Sequence, residues 1–217
     1  MMINGKKTKT MIFNFTENFQ FTTRLKLKSE NVEVVNNTKL LGTIITDDLK
    51  WDLNTKSIVK KANTRMELIR KVASFDAPTE DLKDLYILFV RSILEQSATV
   101  WQSSITIENA NDLERVQKSA VKIMLKENYP GYKKGLAQLG LDSLEDRRRE
   151  LCLNFARKCL KTEKLKHMFP KNSKSHAMGT RHEEQFQVQF ANTGRLQKSP
   201  LIYMQNLLNE NGIDNSK

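Results

Sequence analysis

The pattern of apolar and polar positions changes period once, near residue 50. Residues 11–15 (MIFNF) and 19–27 (FQFTTRLKL) alternate apolar and polar, the period of two that a half-covered strand shows. Asn14 to Asn18 forms the turn between them. Val32, Val34 and Val35 predict a weaker third strand between Asn31 and Asn37, and Asn36-Asn37 favours a turn after it. Leu40, Leu41, Ile44 and Ile45 predict a fourth strand, buried or half-buried, over Lys39 to Thr46, ended by Asp47-Asp48. The expectation is a small antiparallel meander over 1–50 that needs another surface to pack against.

From Asn54 the apolar period is helical. Ile58, Val59, Ala62, Met66, Ile69 and Ala73 share one face up to Phe75, and Asp76-Ala77-Pro78 stops the helix. Thr79 is the expected cap of the next helix, with Glu80 and Asp81 in its first turn. Leu82, Leu85, Tyr86, Phe89, Val90 and Ile93 make a wide apolar face, with Asp84, Arg91 and Glu95 opposite. A third helix spans Glu108 to Glu127, with Leu113, Val116, Ala120, Val121 and Met124 inward, and Asn128 to Gly131 breaks it. A short helix and turn cover Gly135 to Leu141. Ser143, with Asp146 three residues on, predicts the start of a helix to about Lys161 whose core face is Leu144, Leu151, Cys152, Phe155 and Cys159. Arg148 falls on that face, so it is either exposed or paired with a carboxylate. Past Pro170 the period fades. Phe186, Val188 and Phe190 alternate as a strand would, and Ser199-Pro200 opens a last short helix. The fold class is therefore α+β: a few strands, then a mainly helical bundle.

Composition changes this picture in one respect. The chain has 217 residues, a net charge of +11 and a pI near 9.6, which points to an anionic partner, nucleic acid before membrane. No apolar run reaches the roughly 20 residues of a membrane span, and the N-terminus lacks the apolar core and cleavage site of a secretory signal. Cys152 and Cys159 lie seven apart on one predicted helix, about 10 Å along its axis, too far for a disulfide. Free thiols and the missing signal imply an intracellular protein.

The candidate chemistry is sparse. Asp47-Asp48 is adjacent in sequence, whereas two-metal catalysis draws carboxylates from different strands around ions about 3.5–4 Å apart. A strand-end or helix-start role suits the pair. His167, His176 and His182 match no zinc spacing, and Gly42 stands alone where a phosphate cradle needs several glycines. Trp51 and Trp101 suit core anchoring. Two basic stripes remain: Lys56, Lys60 and Lys71 opposite the Ile58–Met66 face, and Arg115, Lys118, Lys122 and Lys126 opposite the Leu113–Met124 face. Such stripes either face solvent or bind phosphates without reading sequence.

The ordered set INGKKTKTMIF, KLLGTIITDDLKW, IVKKANTRMELIRKV, LYILFVRSILEQSATVW, LERVQKSAVKIML and LEDRRRELCLNFARKCLK resembles the end of the palm, the thumb and the following helical region of non-LTR (LINE-type) retrotransposon reverse transcriptases. The resemblance covers roughly residues 3 to 170. It implies palm-end strands over 1–50, thumb-like helices over 51–130 and a C-terminal helical region over 131–170; the sequence pattern adds a loosely structured tail with a short terminal helix over 171–217. Asn4, Lys7 and Thr8 match the family's Asn…Lys-Thr motif near the incoming nucleotide, although Lys7 also belongs to a charge cluster with Lys6 and Lys9. Lys39, Leu40, Leu41 and Gly42 are similar to the family's primer-grip hairpin, which holds the 3′ end of the growing strand, and the helices from Asn54 to Glu127 to the thumb that clamps the template–primer duplex.

The chain departs from the family in lacking its aromatic-Ala-Asp-Asp motif, and with it the Mg²⁺ site of the polymerase. The resemblance thus implies a partial RNA-directed DNA polymerase, inactive alone and without a cofactor of its own, that keeps template–primer-binding elements. RNA–DNA hybrid or duplex is the implied partner, bound without sequence preference, with no small-molecule ligand. The alternative is a helical protein–protein interaction module derived from such an element.

Overall fold

The computed structural model describes residues 8–15, 25–27, 30–172 and 185–211. It is α+β, mainly helical, and among the described residues its strands lie within the first fifty. Those strands are β1 (Lys9–Thr10), β2 (Lys26–Leu27), β3 (Glu30–Asn31), β4 (Glu33–Val34), β5 (Asn37–Leu40) and β6 (Thr43–Thr46). Their pairing differs from a meander. They form three separate two-stranded ladders, β1 with β4 in parallel, β2 with β3 and β5 with β6 antiparallel. Residues 11–15 are not a strand, and Phe13 and Phe15 are exposed. Of the expected 19–27 strand only Lys26–Leu27 pairs, while residues 19–24 lie outside the described set.

The expected single strand over Lys39 to Thr46 is a hairpin. Leu40 pairs with Thr43, so Leu41 and Gly42 alone make the turn. Both have positive φ, 48° and 92°, which suits the twist of a two-residue hairpin. Leu40 and Leu41 therefore project at the tip and are exposed, Leu41 at 92%. Gln96 also packs against Gly42, its Nε2 2.3 Å from where a Cβ would stand, so a larger residue there would displace that side chain. The tip thus rests on the helical unit. Just after the turn, Ile44 N–H of β6 donates to Asn54 Oδ1 at 3.0 Å and ties the hairpin to the first helix.

The helices are α1 (Asp52–Ala73), α2 (Thr79–Leu85), α3 (Ser92–Leu94), α4 (Ala98–Trp101), α5 (Ile107–Leu125), α6 (Tyr132–Leu139), α7 (Leu144–Lys161), α8 (Glu163–Lys166), α9 (Gly194–Gln197) and α10 (Pro200–Asn211). Pro78, not Thr79, precedes α2, and Thr79 already belongs to it. A π-helical stretch, Tyr86–Arg91, joins α2 to α3. Its wider turn shifts the helical register there. Arg91 and Glu95, expected on the solvent face, are therefore mostly covered, with side chains 17% and 13% exposed, while Phe89 is exposed. Thr106 and Ser143 cap α5 and α7 by accepting from Asn109 N–H and Asp146 N–H.

One core runs from Trp51 through the inward faces of α1, α2 and α5 to Leu144. Trp51 and Trp101 are buried in it, and Trp101 Nε1–H donates to Gln96 O at 2.9 Å. A second core gathers Cys152, Leu153, Ala156 and Cys159 of α7 with Phe169, Phe186 and the α10 residues Met204, Leu207 and Leu208. Both cysteines are free and buried there, and burial pushes the Cys152 thiol up to about 11. Phe155, expected inward, is exposed, and Leu153 and Ala156 take its place. Phe186 makes one antiparallel bridge with Lys171, but Val188 and Phe190 form no strand and are exposed.

Candidate nucleic-acid interface

The helices α1 and α5 carry the two predicted basic stripes, and the structure lays them side by side in parallel. At their starts Asn109 Nδ2 donates to Asp52 Oδ1 at 2.9 Å. At their ends Lys126 Nζ meets Asp76 Oδ1 at 2.6 Å. Contacts at both ends in the same order fix the direction. The apolar faces of both helices enter the same core, so the stripes opposite those faces turn to solvent together.

Between the helices runs an open groove of about 600 Å³, lined by Lys56, Val59, Lys60, Asn63, Thr64 and Glu67 of α1 and Asp112 of α5. Lys56 and Lys60 stand in its wall. Arg115 borders it through Asp112, to which its guanidinium donates at 2.6 Å. Lys71, Lys122 and Lys126 continue the two rows toward the helix ends and are exposed. Lys118 turns away toward α6, with its ammonium 5.3 Å from the centre of the Tyr132 ring. Among the described residues Lys56, Lys60, Lys71 and Lys122 make no ion pair. Arg115 and Lys126 do, and the bond and charge of Lys126 hold the Asp76 carboxyl below its ordinary range. The basic stripes alone omit the groove's other polar groups. Asn63 and Glu67 lie seven and eleven residues after Lys56, the same helical face, and that spacing reveals them.

The residues matched to the polymerase motifs scatter. Asn4 and Lys7 lie outside the described residues. Thr8 leads into β1, whose partner is β4 and not the hairpin. Lys39, Leu40, Leu41 and Gly42 are together at the hairpin and its tip, with Lys39 exposed.

Asp47 and Asp48 are not arranged as a catalytic Mg²⁺ pair. Asp48 closes the turn after β6, accepting from Thr46 Oγ1 at 2.6 Å and from Lys50 N–H at 3.0 Å. The Thr46 bond, reinforced by Lys50, lowers its pKa. Asp47, Asp48 and Asp52 border one small hollow, but Asp52 is engaged by Asn109. Among the described residues no group of three His, Cys, Asp or Glu is placed to hold a metal. His167 is exposed, and His176 and His182 lie outside the described residues.

Arg148 meets neither sequence expectation. It is fully buried, and its Nε–H donates to Gln102 Oε1 at 2.6 Å. Its plane lies over Trp101, 5.7 Å from the ring centre. Its two terminal nitrogens have no protein partner. Burial lowers its pKa, although the charges of Glu114, Glu145 and Glu95 oppose that shift.

Fold and site together define an α+β protein with a helical bundle that presents an open groove between α1 and α5, lined by Lys56 and Lys60 and by Glu67 and Asp112. No family model, curated protein or solved structure matches this chain. Among the described residues no helix is long and apolar enough to cross a membrane.

Proposed function

We propose that the chain is a thumb-bearing part of a non-LTR retrotransposon reverse transcriptase, and that its α1–α5 face holds RNA–DNA hybrid or duplex by the phosphate backbone. The ordered sequence resemblance supplies the family. One structural observation supports the binding mode: α1 and α5 run side by side, and the groove between them is lined by Lys56 and Lys60 of one stripe and by Asp112, the ion-pair partner of Arg115 in the other. Lysines held this way neutralise phosphates without reading bases. Chemistry is not proposed for the chain alone, since the polymerase aspartate motif is missing from its sequence.

Affinity for a hybrid duplex, measured across a salt series, tests this reading. Binding should weaken linearly in log salt, by roughly 0.9 per phosphate neutralised if the hybrid behaves like B-DNA. Lys56→Glu/Lys60→Glu/Lys71→Glu should flatten the slope by about two to three units. A variant of equal net charge, Lys158→Glu/Lys161→Glu/Lys164→Glu, changes exposed residues outside the groove. It should weaken binding a little and keep the slope. Equal behaviour of the two variants would sink the assignment of the groove.

A further inference from the structure

The basic face holds carboxylates as well as cations, and two of them sit on stripe residues. Asp112 Oδ1 lies 2.6 Å from Arg115 Nη1, and Asp76 Oδ1 lies 2.6 Å from Lys126 Nζ. Both pairs are open to water: the Arg115 and Asp76 side chains are 71% and 91% exposed. Neither pair is needed to neutralise a buried charge. Asp76 and Lys126 are fifty residues apart and both have positive φ, 55° and 47°. The turn after α1 and the end of α5 therefore place this acid and base opposite each other.

We infer that Asp76 and Asp112 are built-in counter-ions that compete with an incoming polyanion for Lys126 and Arg115, and so set the affinity of the face below what its cations alone would give. This rests on the proposed nucleic-acid reading and adds its regulation. When Arg115 leaves Asp112 for a phosphate, the freed carboxylate gathers a cation from solution. That uptake cancels the cation the phosphate releases. A face that exchanges partners in this way has a shallower salt dependence than the phosphates it touches would give. Exposed ion pairs are weak enough for the exchange to occur at ordinary salt.

The test is hybrid-duplex binding by the full chain across a salt series, comparing wild type with Asp76→Asn/Asp112→Asn. Asparagine keeps the size of each side chain and tolerates the left-handed backbone at position 76. A control, Asp84→Asn/Glu145→Gln, raises net charge equally at two exposed acids that pair with no stripe residue. Thermal melts of all three proteins establish that they fold alike. The inference expects the aspartate variant to bind about two- to thirtyfold tighter than wild type, the range spanned by two exposed ion pairs. It also expects a salt slope steeper by about one to two units. The control should gain less affinity and keep the wild-type slope. Equal slopes and affinities in the two variants would overturn the inference and leave the nucleic-acid reading standing. Binding by the aspartate variant but not by wild type would support the inference in its strongest form. No binding by any of the three would overturn both.

Discussion

Gln117→Leu should lower stability by about 3–5 kcal/mol, among the largest losses open to a single polar side chain of this fold. Gln117 is fully buried in α5 and uses three of its hydrogen-bonding positions. Its Oε1 accepts from Tyr86 O–H at 2.5 Å, and its Nε2 donates to Tyr132 Oη and to Asp142 O, each at 2.9 Å. Tyr132 O–H in turn donates to Glu114. One amide therefore joins the π-helical stretch, α5, α6 and the approach to α7. Leucine fills the volume but leaves the buried Tyr86 hydroxyl without a partner, at roughly 1–3 kcal/mol, and removes the bonds to Tyr132 Oη and Asp142 O, at about 0.5–1.5 kcal/mol each. Burial already pushes the Tyr86 pKa well up, so that hydroxyl remains a proton donor through the ordinary pH range. A chain of this size should lose about 6–20 °C in melting temperature. Adding Tyr86→Phe removes one stranded group and should recover part of the loss, so the double mutant should be more stable than the sum of the singles. Additive losses, or a Gln117→Leu cost under about 1 kcal/mol, would mean the amide does not hold these elements together.

Arg148→Met should go the other way and stabilise the fold, by about 1–4 kcal/mol. The guanidinium is wholly buried with one neutral acceptor and no carboxylate in contact. A charge removed from water with two unmet donors is worse than an apolar chain of similar length. Methionine can still cover Trp101, and Gln102 is only half-buried, so water can satisfy its freed oxygen. Arg148→Lys keeps the charge but loses the planar fit, and should destabilise. Urea denaturation of the two variants decides. A clear loss with methionine would show that the terminal nitrogens of Arg148 are well satisfied in solution.

The helices were legible because each has a long apolar stripe. Ile58 to Ala73 and Leu113 to Met124 sit inward as their spacing predicts. Ser143 and Asp146 form the cap their spacing predicts. What failed depends on neighbours far away in sequence. Periodicity assigns Phe155 to a core face but cannot say that α10 covers Cys152, Leu153 and Ala156 and leaves Phe155 in water. A π-helical turn changes register without a local signal, which is why Arg91 and Glu95 moved inward, where Glu95 meets Arg147 of α7. The apolar run over Lys39 to Thr46 concealed its turn because a leucine, not an asparagine or aspartate, precedes Gly42. Each basic stripe could be read from its own helix. That the two helices lie side by side could not, because the contacts that align α1 and α5 join residues at least 50 apart.

The parallel run of α1 and α5 also gives the exposed face a polarity. Asp52, Glu108 and Asp112 lie toward the starts of the two helices, with Lys56 and Lys60 following Asp52 on α1, and Arg70, Lys71, Lys122 and Lys126 lie toward their ends, where Asp76 pairs with Lys126. Antiparallel neighbours would cancel this arrangement, whereas parallel ones add it. The side-chain charges thus form a dipole along the groove, opposing the backbone dipoles of the same helices. A large anion approaching from solution feels a torque as well as an attraction, and meets the α1 and α5 C-terminal end first. The face therefore has a leading edge, set by helix direction together with where the charged side chains fall along each helix.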